Sequence, residues 1–302
     1  MIYYIFIDGI GFGKSGPANP FTRFARSVFL PLGGKDAPSS GRLSDMFYAE
    51  ADAGMGIKGL PQSATGQTSL WTGINAPKTV NRHISGFPTF TLKKIISKYS
   101  IVKVLGENGL HSSFLNCYTP RFFEHMKQYP GHLPASTLVQ LSGNQPLKTI
   151  SDLRNGNGIY MDITNEFLRT NGYPEIAKID PFQAGKNITA LRHYDLVLFE
   201  YFLTDKAGHE KSMAMAKTAI FNLEAFLTGI IENCHTDDLL VVTSDHGNME
   251  NLDTSWHTEN PVPAIFYGKG AERMSKRVSD ISGIPLLVYE HLGLKVRLND
   301  DF

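Results

Sequence analysis

The strongest constraint on the fold is a recurring pattern: an apolar run of strand length that stops at an aspartate or leads out of a histidine segment. Ile2-Tyr-Tyr-Ile-Phe-Ile7 is followed by Asp8-Gly9. The run 195–202 is followed by Asp205-Lys-Ala-Gly-His209, and the run 239–243 by Ser244-Asp245-His246-Gly247-Asn248. A fourth segment, His257-Thr-Glu-Asn-Pro-Val-Pro263, leads into the run 263–267. Continuous apolar runs of this length, bounded by turn residues, read as strands buried on both faces. Helical spacing lies between them. Met215, Ala219, Leu223, Phe226 and Ile230 share one face of a helix over 211–233. Leu92, Ile95, Ile96, Val102 and Leu105 do the same in a single helix over 91–108. Shorter helices are expected at 64–72, 162–169 and 284–291, and a short strand at 112–116. The alternation predicts an α/β fold, a mainly parallel sheet with helices on both faces. Such sheets bind ligands outside the carboxyl ends of their strands. The aspartates and histidines are therefore expected together at one sheet edge.

Two stretches interrupt the rhythm. Residues 13–40 are rich in Gly, Pro and Ser and read as a long loop with a short helix near 21–29. Residues 119–185 hold Pro120, Pro130, Pro134, Pro146, Pro174 and Pro181 and read as an insertion or small cap. The expected organisation is a catalytic core from 1–118 plus 186–302, with 119–185 inserted. In this 302-residue chain, 29 Lys and Arg balance 29 Asp and Glu, so no bulk basic field exists to attract nucleic acid or an anionic membrane. No apolar run approaches the roughly 20 residues that span a bilayer, and the first residues do not resemble a signal peptide. A cytoplasmic location is the expectation. Cys117 and Cys234 make neither a disulfide scaffold nor a cysteine zinc site and are expected as reduced thiols.

The four segments supply three carboxylates, Asp8, Asp205 and Asp245, and three imidazoles, His209, His246 and His257. Burying several carboxylates together costs several kcal/mol per ion unless positive charge is supplied. Aspartate with histidine is a natural ligand set for Zn²⁺ or Mn²⁺. Asp205 and His209, at i and i+4, share one face of a helical turn. Asp245 and His246 point to opposite sides of an extended chain, which suits two metals better than one. Each motif also has a plain reading, as a surface ion pair, a turn or an N-cap; the conjunction of four at strand ends favours metal binding.

Leu60-Pro-Gln-Ser63-Ala-Thr65-Gly66-Gln67-Thr68 places hydroxyls at an expected helix start, where free N–H groups and the helix dipole favour an anion such as phosphate. Simple capping by Ser63 or Thr65 is the plainer alternative. Arg82 and His83 follow closely and are candidates to reach a substrate phosphate. Arg121, with Asn116 and Tyr118 at the mouth of the insertion, is a candidate clamp for phosphate or carboxylate. Gly9-Ile-Gly11-Phe-Gly13-Lys14-Ser15 superficially suggests a phosphate-binding P-loop, but that pattern needs glycine where Asp8 stands. The glycines read instead as room for backbone near the metals.

Taken together, Asp8-Gly9, Ser63-Ala-Thr-Gly66, Asp205-Lys-Ala-Gly208-His209, Ser244-Asp245-His246-Gly247-Asn248 and His257-Thr258-Glu-Asn260-Pro-Val-Pro263 resemble the alkaline phosphatase superfamily. Within it they resemble the branch of cofactor-independent phosphoglycerate mutases and phosphopentomutases. The resemblance implies Ser63 as nucleophile. It implies one metal held by Asp205, His209 and His257, and a second held by Asp8, Ser63, Asp245 and His246. Two divalent ions, Mn²⁺ or Zn²⁺, and a small phosphorylated substrate follow as expectations. Gln67 departs from the family, which usually has histidine there, and the 119–185 segment is too short for the large inserted domain of the mutases. The resemblance therefore favours hydrolysis of a phosphate ester through a phosphoserine intermediate. A phosphomutase is the main alternative; a phosphodiesterase or sulfatase, and then a non-enzymatic metal-binding protein, are further ones. The oligomeric state is left open.

Overall fold

The computed structural model describes residues 1–34 and 39–298; residues 35–38 of the long loop lie outside them. Nine strands are β1 (Ile2–Ile7), β2 (Gly41–Leu43), β3 (Met46–Ala51), β4 (Ser112–Phe114), β5 (Cys117–Tyr118), β6 (Lys148–Thr149), β7 (Leu196–Tyr201), β8 (Leu239–Thr243) and β9 (Val262–Gly268). Seven form one sheet in the order β2-β3-β9-β8-β1-β7-β4, and β5 pairs with β6 separately. β8, β1, β7 and β4 run parallel. β9 runs antiparallel to β8, and β3 and β2 continue antiparallel to the edge. The sheet is thus mixed, parallel in its centre, with helices on both faces.

The strand side chains alternate between two cores, as a period of 2 requires. Tyr3, Ile5 and Ile7 join one hydrophobic cluster and Ile2, Tyr4 and Phe6 the other. The first cluster takes in helix Met213–Ile231, through Ala216, Ile220, Leu223 and Leu227. By length and composition that helix is apolar enough to cross a membrane, but its apolar side packs on the sheet. The second cluster is centred on Trp71 of helix Ser63–Thr72. Its ring meets Tyr4, Phe6 and Phe114 edge-on at 5.0–5.4 Å.

Several expected elements have different bounds. The helix expected at 91–108 is two, Phe90–Tyr99 and Ile101–Glu107. Ser100 leaves helical geometry (ψ 143°) and its side chain accepts a hydrogen bond from the Lys103 N–H, so the serine caps the second helix rather than continuing the first. The loop at 13–40 contains helix Pro20–Phe24 and a 3₁₀ turn, Leu30–Gly33. Helix 162–169 shortens to Glu166–Thr170, after an Asp162 carboxylate that accepts from Asn165 and Phe167 N–H groups. Within residues 119–185, Ala135 and Val139 join one core and Ile163 and Ala184 the other, while Ile150, Tyr160, Leu168 and Ile176 form a small cluster of their own.

Candidate metal centre and active site

Strand register gathers the site. Ile7 pairs with Tyr201, and Phe6 with Thr243, so the chain leaves all three strands at one level. Asp8, the turn carrying Asp205, and Asp245 follow directly. β9 reaches the same edge from the opposite direction, with Ala264 beside Thr243. That reversal is why His257 precedes its strand while the aspartates follow theirs. The Trp71 contacts pin helix Ser63–Thr72 so that Ser63, at its start, lies over the same edge.

Close backbone approach requires glycine at two points. Gly9 has φ +71° and any Cβ there would lie 2.7 Å from Asp205 Oδ1. A Cβ on Gly66 would lie 2.9 Å from the Asp245 Cβ and carbonyl oxygen. Glycine-free sequence would push helix Ser63–Thr72 and helix Leu203–His209, which carries Asp205, away from the strand ends. Lys14 and Ser15 take no part; Gly11 and Gly13 instead pack beside Glu250.

Asp205, His209 and His257 converge. Asp205 Oδ2 is 3.1 Å from His209 Nε2, and Oδ1 is 3.7 Å from His257 Nε2. The two Nε2 atoms are 3.3 Å apart. His209 Nδ1 lies 2.8 Å from the Ser255 carbonyl and His257 Nδ1 2.8 Å from the Pro61 carbonyl. A carbonyl only accepts, so each Nδ1 carries a proton, and Nε2 is the nitrogen that each ring turns inward as a possible ligand. Facing nitrogens beside a carboxylate suit a cation between them. Burial lowers the His257 pKa, which disfavours a proton in that role. A divalent ion fits, and the carbonyls serve as the outer partners that orient metal-bound histidines.

The second group lies deeper. Ligand atoms of Asp8, Asp205 and His246 fall within 4.8 Å of one another. His246 Nε2 is 3.4 Å from Asp8 Oδ1, 3.4 Å from Asp245 Oδ2 and 3.0 Å from Ser63 Oγ. Asp8 Oδ1 and both Asp245 carboxylate oxygens are buried with no hydrogen-bond partner. Burial, and then the neighbouring aspartates, hold the Asp8 and Asp245 pKa values well above the usual carboxylate range. Burial and the adjacent His257 hold His246 well below the usual imidazole value. Orphaned buried oxygens, mutually repelling acids and a neutral imidazole together form a donor set for a divalent cation. Asp205 belongs to both clusters rather than to one.

The other expected residues divide. Arg82 and His83 line a cleft of about 750 Å³ with Ser63, Asp205, Trp256 and His257. Arg121 lines a second cleft of about 830 Å³, which also reaches Asp8, Ser63, Asp205 and His209. Thr65 is not a substrate contact. It is fully buried, its hydroxyl bound to the Gln62 carbonyl and the Ile84 N–H. The expected free amides at the helix start are also partly used, because the Ala64 and Thr65 N–H groups both donate to the Ile84 carbonyl. An anion there would be held by side chains and cations rather than by those amides.

Four polar residues escaped sequence reasoning. Gln67 Nε2 donates to Asp8 Oδ2 at 3.3 Å, supporting a ligand from the position where the family usually has histidine. Asn248 Nδ2 donates to Asp205 Oδ1 at 2.6 Å. Glu250, 1% exposed, accepts from the Asn248 N–H, Asn260 Nδ2 and the Thr258 hydroxyl and ties the His246 and His257 loops together. Glu200 ends in the second cleft, and its signal was a lone acid inside the apolar run 196–203.

Comparison with known proteins follows this geometry. Residues 163–295 match the model of the Metalloenzyme superfamily. The chain is 34% identical over 102 residues to a 2,3-bisphosphoglycerate-independent phosphoglycerate mutase of Ehrlichia ruminantium, covering 30% of this chain and 20% of that one. It is 28% identical over 120 residues to a phosphopentomutase of Alkaliphilus metalliredigens, covering 40% of this chain and 28% of that one. The matches thus span only about a fifth to a quarter of those relatives. Among solved structures, the fold is similar to alkaline phosphatase from the Antarctic bacterium TAB5, with a TM-score of 0.52 at 14% identity over 98% of each chain. Alkaline phosphatase of Thermus thermophilus gives 0.54 at 10% identity, over 99% of this chain and 93% of that one. Over residues 163–295 the chain is thus similar to the Metalloenzyme superfamily, and its fold is alkaline-phosphatase-like.

Proposed function

We propose that the protein hydrolyses a phosphate monoester through a phosphoserine intermediate on Ser63, with two divalent ions, Mn²⁺ or Zn²⁺. The observation that carries this reading is the place of Ser63. Its Oγ lies 3.0 Å from His246 Nε2 and lines both clefts, so it is the hydroxyl that meets the metal clusters and incoming substrate together. Asp205, His209 and His257 would hold one ion; Asp8, Asp245 and His246, with Ser63, would hold the other, and Asp205 is placed to reach both. When bound, such ions offset the phosphate charge and lower the pKa of the serine hydroxyl and of water. Ser63 Oγ then forms the bond to phosphorus as the ester oxygen leaves, and water splits the phosphoserine to free phosphate. Arg121 and Lys206 on one side, and Lys58 and Arg82 on the other, offer cationic side chains to phosphate oxygens. The relatives named as mutases make phosphoryl return to substrate the second reading. A mutase must retain a small charged intermediate; the part of the larger cleft lined by Phe87, Tyr118, Phe122, Tyr160 and Phe202 offers such an intermediate little, which favours hydrolysis.

The test is turnover of a phosphomonoester panel by metal-loaded protein, scored for free phosphate and for isomerised product. Free phosphate is expected. Ser63→Ala should lower turnover at least about a thousandfold, a loss near 4 kcal/mol of transition-state stabilisation. Bound metal should persist, and acid quenching of wild-type enzyme should trap phosphate on a peptide containing Ser63. An isomer as sole product, or an active Ser63→Ala enzyme, overturns the reading.

A further inference from the structure

The larger cleft has a character that a generic phosphate site does not require. One end is the Ser63 and Asp205 centre. Part of the lining is aromatic: Phe87 and Phe202, both substantially exposed, line the same cleft as a partly buried pair, Tyr118 and Phe122, whose rings lie 4.2 Å apart and 30° from parallel. At about 830 Å³ the space exceeds what a phosphate and a three-carbon chain need. Glu200 and Glu210 also bring carboxyl groups to it. Glu200 is 9% exposed, its Oε2 accepts from the Ser136 hydroxyl at 2.5 Å, and among the described residues its Oε1 has no hydrogen-bond partner. Both its backbone groups are tied to Asn116, at 2.8 and 2.9 Å, so the carboxyl is held in place rather than swinging on a loop.

We propose that this cleft selects the alcohol part of the substrate, and that the substrate is a phosphate monoester of a flat, mainly apolar ring system bearing an O–H or N–H donor on its far edge. The ring would lie against the Tyr118–Phe122 pair, and Glu200 Oε1 would accept the hydrogen bond from the donor. Aromatic walls stack on a flat ring at little cost in ordering, whereas a small polyol would leave them wet. An acceptor that a ligand shuts off from water without supplying a donor penalises that ligand, which makes Glu200 a specificity-determining residue. The inference rests on the phosphomonoesterase reading for its chemistry, but the cleft can be tested apart from it.

The experiment uses metal-loaded full-length protein in two arms. In the first, kcat/KM is measured for 5-hydroxy-1-naphthyl phosphate, 1-naphthyl phosphate and glycerol 3-phosphate. The expected order is as written, with at least about tenfold between the first and the last, or 1.4 kcal/mol. Phe122→Ala should compress the ratio of first to last, and Glu200→Gln should compress the ratio of the first two. In the second arm, binding of 1,5-dihydroxynaphthalene is followed by its fluorescence, without any turnover. Saturable binding that weakens at least about fivefold in each variant supports the cleft assignment even if no ester is hydrolysed, an outcome that would sink the esterase reading alone. Preference for glycerol 3-phosphate together with no binding of the naphthalene diol overturns the cleft assignment, while leaving hydrolysis standing. Equal effects of Glu200→Gln on both naphthyl esters overturn the role given to Glu200.

Discussion

At the scale of single residues, the site is an arrangement of groups whose charges conflict unless something reconciles them. Glu200 shows the same tension outside the ligand clusters, and it gives a clean measurement. Burial pushes its carboxyl up to about 7, against the opposing hydrogen bond from Ser136. A carboxyl whose folded pKa exceeds its unfolded value holds its proton longer in the folded state. Stability from this group is therefore full below the unfolded value of about 4.5 and declines as pH rises through about 7. Glu200→Gln removes the titration. Denaturant unfolding of wild type should lose about 3 kcal/mol more than the variant between about pH 5 and pH 8.5. Parallel stability profiles would show that the acid is not buried against its charge. Residues of this kind mark where sequence reading stops. Asp8, Asp205, His209, Asp245, His246 and His257 were legible because each sits beside an apolar strand run in a recognisable motif. Glu200, Gln67 and Glu250 were not, because their roles depend on which neighbours the fold brings to them. Thr65 misled for the converse reason: a hydroxyl two residues from Ser63 looks reactive until Ile84, from a later segment, is seen to occupy it.

At the scale of elements, two contacts decide where the chemistry sits. Trp71 seats helix Ser63–Thr72 on Tyr4, Phe6 and Phe114, and its ring is wholly buried. Trp71→Ala removes those contacts and leaves a cavity between helix Ser63–Thr72 and the sheet. The expected cost is about 3–5 kcal/mol, read from denaturant midpoints, with a fall in kcat larger than the rise in KM. A loss of stability below about 1 kcal/mol would mean that the helix is held elsewhere. Helices Pro181–Ile188 and Met213–Ile231 meet backbone to backbone. A Cβ on Gly185 would strike the Phe226 carbonyl, and one on Gly229 the Phe182 carbonyl. Gly229→Ala should destabilise by about 1–3 kcal/mol despite the better helix propensity of alanine, because the packed pair must part. A stabilised Gly229→Ala variant would refute that packing. The helix and central-strand positions were readable from periodicity. The antiparallel direction of β9 and the edge strands β2 and β3 were not, since burial pattern alone carries no sign for strand direction, and Met46–Ala51 alternates too weakly to announce itself.

At the scale of the whole molecule, the candidate metal centre works as a cross-link between distant parts of the chain. Its donors come from the turn after β1, the start of helix Ser63–Thr72, the turn after β7, the turn after β8 and the loop before β9. In the unfolded chain these residues are dispersed, so a divalent ion binds the folded state and stabilises it by mass action. At a hundredfold excess over its dissociation constant that amounts to about 2.7 kcal/mol per ion, or a rise in Tm of roughly 4 °C for a chain of this size. Titration of Mn²⁺ or Zn²⁺ into chelated protein should thus raise Tm progressively with the logarithm of metal concentration, and chelator should reverse the rise. Variants then separate the clusters. His257 turns its Nε2 to Asp205 and His209 and meets His246 only by ring stacking, whereas Asp205 falls within ligand reach of Asp8 and His246. His257→Ala should therefore lose one equivalent of metal by elemental analysis and keep part of the thermal response. Asp205→Asn, which removes a charge shared by both clusters, should lose most of both. The same Tm in metal and in chelator, or full retention of metal by Asp205→Asn, would show that these residues pack against one another without holding an ion.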